Sequence, residues 1–146
     1  MKHVATFGFV LTLSVLIGLP VPLLAQDEAV QGEMAQDAVP TVSVQDAAIC
    51  REVVDRTPMG TGDVFPPDVP ELYCFTRIVG AQKDTEVTHN WYYKGNLMAS
   101  VVLPVGSASW RTWSKKSMSP DMTGEWMVEI LSEEGVPLES IIFFLQ

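Results

Sequence analysis

Any catalytic reading of this chain has to start from His89. The 146 residues contain two histidines, and the other, His3, lies at the start of an apolar N-terminal run. Nucleophilic hydrolysis needs a serine or cysteine, an imidazole base and an orienting carboxylate. Ser107, Ser109 and Ser114 are available downstream, but no G-x-S-x-G elbow frames any of them. In an alternating strand His89 shares its face with Val87 and Trp91. A histidine so placed is more often a satisfied core or core-edge residue than a base. Cys50, Cys74 and His89 are metal-ligand types, yet they lack C-x-x-C or H-x-x-x-H spacing. No metal and no cofactor are expected. Glu125 and Glu129 on one strand face, and Glu133-Glu134 in a loop, read as solvated acidic surface and not as a glycosidase pair.

A second kind of chemistry is recognition. Arg111, Lys115 and Lys116 fall within six positions of a chain whose formal net charge is −9. In an extended strand Arg111, Trp113 and Lys115 share one face, and Trp110 and Thr112 take the other. A tryptophan between two cations can stack on a sugar ring or help to hold an anionic group. Tyr92, Arg111, Trp113 and Lys115 are therefore the candidate binding residues. The plainer alternative is cross-strand pairing, with Arg111 and Lys115 facing Glu125 and Glu129 of a neighbouring strand. Both readings stay open at this level. There is no glycine-rich phosphate loop and no basic stripe long enough for nucleic acid. The acidic balance also disfavours non-specific contact with nucleic acid or an anionic membrane.

These residues sit in the last two thirds of the chain, behind two segments of different character. Met1–Ala25 opens with Lys2, runs without charge from Val4 to Leu19, and ends with Pro20, Pro22 and the small Ala25. That order describes a secretory signal peptide. The alternative is an uncleaved anchor, since the uncharged run to Gln26 could just span a bilayer. Residues 26–45 are rich in Gln, Asp, Glu and Ala, carry no aromatic residue and show no sustained period. Such a stretch cannot bury enough apolar surface to offset its ordering entropy and reads as a flexible acidic linker. Export to the periplasm or the exterior follows from the leader. It would make a Cys50–Cys74 disulfide chemically permissible, the alternative being two buried free thiols.

From residue 46 onward the pattern is that of an all-β domain. Strands are expected at Asp46–Arg56, Glu71–Val79, Glu86–Lys94, Leu97–Val105, Ser109–Lys115, Glu125–Leu131 and Leu138–Gln146. Thr57–Pro70, with four prolines and two glycines, reads as a loop pinned to the core by Phe65. Gly95-Asn96 reads as a tight hairpin, and Pro104 suggests a strand that lies at a sheet edge or ends there. Leu97, Ala99, Val101, Leu103 and Val105 are expected inward, and Trp91 and Trp126 as the central plugs. About seven strands at this spacing predict an immunoglobulin-like β-sandwich. Cys50 precedes Cys74, so any bridge would tie the first strand to the second, unlike the antibody pattern.

The ordered motifs LYCFTR, HNWYY, WRTWSKK and GEWMVE resemble the domain-of-unknown-function 2914 family (DUF2914) of bacterial envelope proteins, over roughly Ala47 to Gln146. The resemblance implies a small domain attached to a signal or membrane segment. It supplies no catalytic residues. Taken together, the expectation is an exported, non-enzymatic binding or structural-interaction module whose partner is an envelope protein or glycan. It would meet a membrane only through an uncleaved leader. The alternatives are a small periplasmic hydrolase using His89 and a subunit of a larger envelope assembly.

Overall fold

The computed structural model describes residues 41–146. The leader and the linker up to Pro40 lie outside the described residues. Ten strands are present: β1 (Ser43–Cys50), β2 (Glu52–Val54), β3 (Thr57–Met59), β4 (Val64–Phe65), β5 (Glu71–Val79), β6 (Thr85–Tyr93), β7 (Asn96–Val105), β8 (Ser109–Ser117), β9 (Gly124–Ser132) and β10 (Pro137–Leu145). No helix occurs among the described residues, so none there could cross a membrane. The seven long strands are those the alternation predicts, within a residue or two at most ends. β1 begins at Ser43, ahead of Asp46, where composition alone put the start of the domain.

The long strands divide into two sheets. One has the order β1-β5-β8, and the other the order β4-β10-β9-β6-β7. Only the short β4 runs parallel to its neighbour, β10. The first, second and fifth long strands thus share one sheet, and the third, fourth, sixth and seventh share the other. That is the immunoglobulin-like division, with an added strand beside the third, as in variable-type domains. β7 lies at a sheet edge, where Pro104 costs no ladder bond.

The core fills the space between the sheets. Ile49, Leu72 and Cys74 from the small sheet meet Trp91, Trp126, Val128 and Phe143 from the large one. Phe143 organises the aromatic packing. It stacks on Trp126 at 6.1 Å between centroids and meets Trp91 edge-on at 6.2 Å. Phe65 closes the same cluster from β4, so it does pin the proline-rich segment to the core. A second cluster, around Ile78, Val87, Val105 and Ile130, fills the other end.

Four local expectations are corrected. Asp46–Arg56 is not one strand: a break at Arg51 separates β1 from β2. β2 then pairs with β3, inside the segment read as loop. The hairpin between β6 and β7 turns at Lys94-Gly95, both with positive φ (47° and 82°), because Tyr93 pairs with Asn96. Leu97 is not inward but 56 % exposed. Trp91 pairs with Ala99 and Tyr92 with Leu97, so Met98 is an extra residue that reverses the parity there. Finally, Cys50 and Cys74 are free and buried. Ile49 pairs with Cys74, and Cys50 pairs with Tyr73. Neighbouring residues of a strand point to opposite faces, so the two thiols project from opposite sides of the sheet and no bridge forms.

Removing the Phe143 ring should leave a cavity that three neighbouring rings cannot close. Phe143→Ala is expected to lower stability by about 3–5 kcal/mol, read as a shift in the urea midpoint.

Candidate functional site

The small sheet presents an ordered outer face. Directly paired residues form three rows across β1, β5 and β8: Asp46–Arg77–Arg111, Ala48–Phe75–Trp113 and Cys50–Tyr73–Lys115. All of these side chains point away from the sandwich core. Phe75 nevertheless is only 4 % exposed, and Cys50 is fully buried. The cover is the β2–β3 hairpin, whose Thr57 and Pro58 line the same recess as Phe75. Cys50 sits against the backbone of Met59 and Glu52, and burial pushes its thiol up in spite of those contacts. Burial also pushes up the Cys74 thiol on the inner face, with the Cys50 sulfur adding to it.

The hairpin closes through Asp55-Arg56, with φ of 48° and 58°, because Val54 pairs with Thr57. This is the two-residue turn that normally favours Asn-Gly. Aspartate tolerates the left-handed region, whereas a long side chain such as that of Arg56 is strained there. Arg56 is held there with its guanidinium 6.0 Å from the Trp110 ring centroid. Arg56 and Arg111 border two recesses, of about 330 Å³ and about 270 Å³. Arg77 joins them at the smaller one, which Ser107, Ser109 and Trp110 complete.

The site residues expected from sequence separate. Arg111, Trp113 and Lys115 do share the outer face of β8. Tyr92 does not belong with them: it lies on the outer face of the other sheet, where its hydroxyl donates to Glu129 at 3.3 Å. The alternative pairing with Glu125 and Glu129 is also corrected. β8 is an edge strand beside β5, and those glutamates stand on β9 in the opposite sheet. Arg111 instead faces Arg77. Lys115 donates to Glu71 at 3.2 Å, and the Tyr73 hydroxyl donates to the same carboxylate at 2.9 Å. That hydrogen bond from Tyr73, and then the one from Lys115, hold the Glu71 carboxyl below its usual range. The same carboxylate pushes Tyr73 and Lys115 up. Arg56 and Arg77 were missed. Arg77 has outward parity in the alternation of β5, but only the strand order reveals Arg111 beside it.

Charge separates between the sheets. The strands β4, β6, β7, β9 and β10 contain Glu86, Glu125, Glu129 and Glu139 and no lysine or arginine. The strands β1, β5 and β8 contain Arg77, Arg111, Lys115 and Lys116 against Asp46 and Glu71. On the outer face of the small sheet Arg77, Arg111 and Lys115 stand against Asp46 and Glu71, and the covering hairpin adds Arg56 with Glu52 and Asp55, so the positive charge is concentrated where Arg56, Arg77 and Arg111 meet.

His89 has a different setting. It is fully buried between the sheets, and Ser114 beside it is 4 % exposed. Trp91 Nε1 donates to Ser114 Oγ at 3.0 Å, and Ser114 Oγ lies 2.9 Å from His89 Nδ1. His89 Nε2 lies 3.3 Å from Thr76 Oγ1, which donates to the Thr112 carbonyl at 3.3 Å. An indole N–H only donates and a carbonyl only accepts, so the relay has one direction. Ser114 must donate to Nδ1, and Nε2–H must donate to Thr76. Donor counting thus assigns a neutral imidazole protonated at Nε2. A second proton would leave the Ser114 hydroxyl hydrogen without an acceptor in the relay. Burial pushes the His89 pKa down to about 4. Among the described residues, no group of three or more His, Cys, Asp and Glu side chains could hold a metal.

The unfolded chain takes up a proton on His89 near pH 6.5, whereas the folded chain resists it until about pH 4. Acid therefore favours unfolding across that window, and the loss levels off below it. Stability should fall by about 2 kcal/mol between pH 7 and pH 5 and by clearly less in His89→Gln, measured by urea unfolding. Ser114→Ala, which orphans the Trp91 donor and the His89 acceptor, should cost about 2–4 kcal/mol at pH 7.

No curated protein matches the chain. Among solved structures it is similar to a β-glucosidase from Kluyveromyces marxianus, at 8 % identity and a TM-score of 0.43, over 74 % of this chain and 15 % of that one. The chain therefore spans a small part of that protein, and a likeness this slight carries no argument. The family model described as a protein of unknown function, DUF2914, matches residues 84–144, and this stretch, from the turn before β6 almost to the end of β10, belongs to the DUF2914 family.

Proposed function

We propose that the chain is an exported, non-enzymatic binding module of the cell envelope, working through the outer face of its three-stranded sheet. The observation that carries this reading is the segregation of charge. Arg56, Arg77, Arg111 and Lys115 lie on or above one face, and the strands of the other sheet carry only acidic charges. Trp113 lies half-buried in the middle row of that face, between the Arg111 and Lys115 rows. An aromatic among cations suits a partner with polar, electron-rich groups, whether an envelope protein or a glycan. The signal-peptide-like order of Met1–Ala25 supports export, and an uncleaved leader would instead anchor the domain to a membrane.

The hydrolase alternative draws on the 2.9 Å approach of Ser114 to His89. Both groups lie within the core, and the serine oxygen is already engaged by the Trp91 N–H. His89 Nε2 faces a threonine where a triad would place a carboxylate. A substrate would have to part the two sheets to reach this pair, so the pair supports cohesion better than catalysis.

Replacing Arg111 and Trp113 together with alanine should abolish capture of the partner from envelope extract and leave the melting temperature close to that of the parent. A large fall in melting temperature with capture intact would return both residues to a purely structural role.

A further inference from the structure

We propose that Arg56, Arg77 and Arg111 form a binding site for a phosphomonoester dianion carried on a saccharide or apolar body. The proposal rests on the reading of this face as the contact surface and names what it would hold. Two recesses that share Arg56 and Arg111 divide the work. The smaller, of about 270 Å³, is bordered by the three arginines with Ser107, Ser109 and Trp110. Guanidinium forks match phosphate oxygens in pairs, so this recess suits the charged group. Arg77 donates to Ser109 Oγ through Nε and Nη2, each at 3.4 Å, which leaves the Ser109 hydroxyl hydrogen free to donate. The larger recess, of about 330 Å³, shares Arg56 and Arg111 but is lined also by Ala48 and Phe75 of the sheet and Pro58 of the covering hairpin. It suits the uncharged body of the ligand.

The charge count selects a dianion. Among the described residues Arg56 and Arg111 make no ion pair, and Arg77 reaches only Asp46, at 4.0 Å. Asp46 is the one carboxylate lining either recess. Two uncompensated positive charges remain. Against the approach of Arg56 to Trp110 and the Arg77 contacts with Ser109 and Asp46, the fold carries two costs. Arg77 and Arg111 are directly paired across β5 and β8, and like charges so placed are destabilising. Arg56 occupies a left-handed position, φ 58°, that glycine or asparagine would fill with less strain. Strain held at an exposed turn, with the side chain folded back over a recess, is the pattern of a ligand contact.

The test is titration of the purified protein with inorganic phosphate, glucose 1-phosphate and glucuronate at constant ionic strength, followed by calorimetry and by thermal melting. Both phosphates should bind and raise the melting temperature, with glucuronate weaker. Equal affinity for the two phosphates would show that only the charged group is held and would overturn the role given to the larger recess. Tighter binding of the sugar phosphate would identify a saccharide-borne group. Arg111→Gln and Arg56→Gly should each weaken phosphate binding roughly tenfold or more. Ligand-free Arg56→Gly should at the same time melt higher than the parent, which loss of a structural contact would not produce. No response of the parent, equal binding by parent and variants, or glucuronate binding as tightly as phosphate would each overturn the site. Capture from envelope extract that survives a failed phosphate titration would overturn this site and leave the contact face standing. Lost capture with phosphate binding retained would do the reverse.

Discussion

The register of β5 between its two neighbours is the constraint on which everything else rests. Its alternate residues Leu72, Cys74, Thr76 and Ile78 enter the core, and Tyr73, Phe75 and Arg77 leave it. A slip of one residue would turn Arg77 into the sandwich and send Thr76 to the surface. The inner set would then lose its hydrogen-bonded link to His89, and the outer set its rows of arginine and aromatic residues. One pairing pattern therefore fixes both the polar relay inside and the basic face outside.

The relay from Trp91 to Thr112 explains why a β-sandwich would hold four polar side chains at its centre. Trp91 and His89 come from the large sheet, while Ser114, Thr76 and Thr112 come from the small one. Three of the four hydrogen bonds cross the interface between sheets, where apolar contact alone is indifferent to small displacements. Every donor in the relay has an acceptor, so burial costs little. Shifting one sheet against the other would orphan several groups at once. Cys74 lies in the same interior as a small apolar filler, on the strand that carries a bridge cysteine in antibody domains. Here the tie between sheets is polar instead of covalent.

Much of the fold could be read directly from the residues. Strict alternation in ELYCFTRIV, THNWYY and EWMVEIL leaves little choice of element or of face, and large aromatics at inward positions identify the core. His89 was legible as a core residue for that reason. Strand order was not legible. Nothing in WRTWSKK says whether its partner is β5 or β9, so Arg111 was given glutamates and has an arginine. Bulges were not legible either, because the extra Met98 reverses parity without any glycine or proline to signal it. The β2–β3 hairpin was hidden by its turn, Asp55-Arg56, which lacks the glycine that normally announces such a loop. The candidate site was half seen as a result. Arg111 was found from local charge, whereas Arg56 and Arg77 reach it through pairings that are distant in the chain.

The most direct test of this account is a set of cross-strand nuclear Overhauser contacts in solution. The proposed register requires backbone contacts linking Arg77 with Arg111 and Phe75 with Trp113, with Ile49 opposite Cys74 on the other side of β5. Contacts from Arg111 or Lys115 to Glu125 or Glu129 would contradict it. They would place β8 in the large sheet, separate Arg111 from Arg77, and take Ser114 and the Thr112 carbonyl away from the relay.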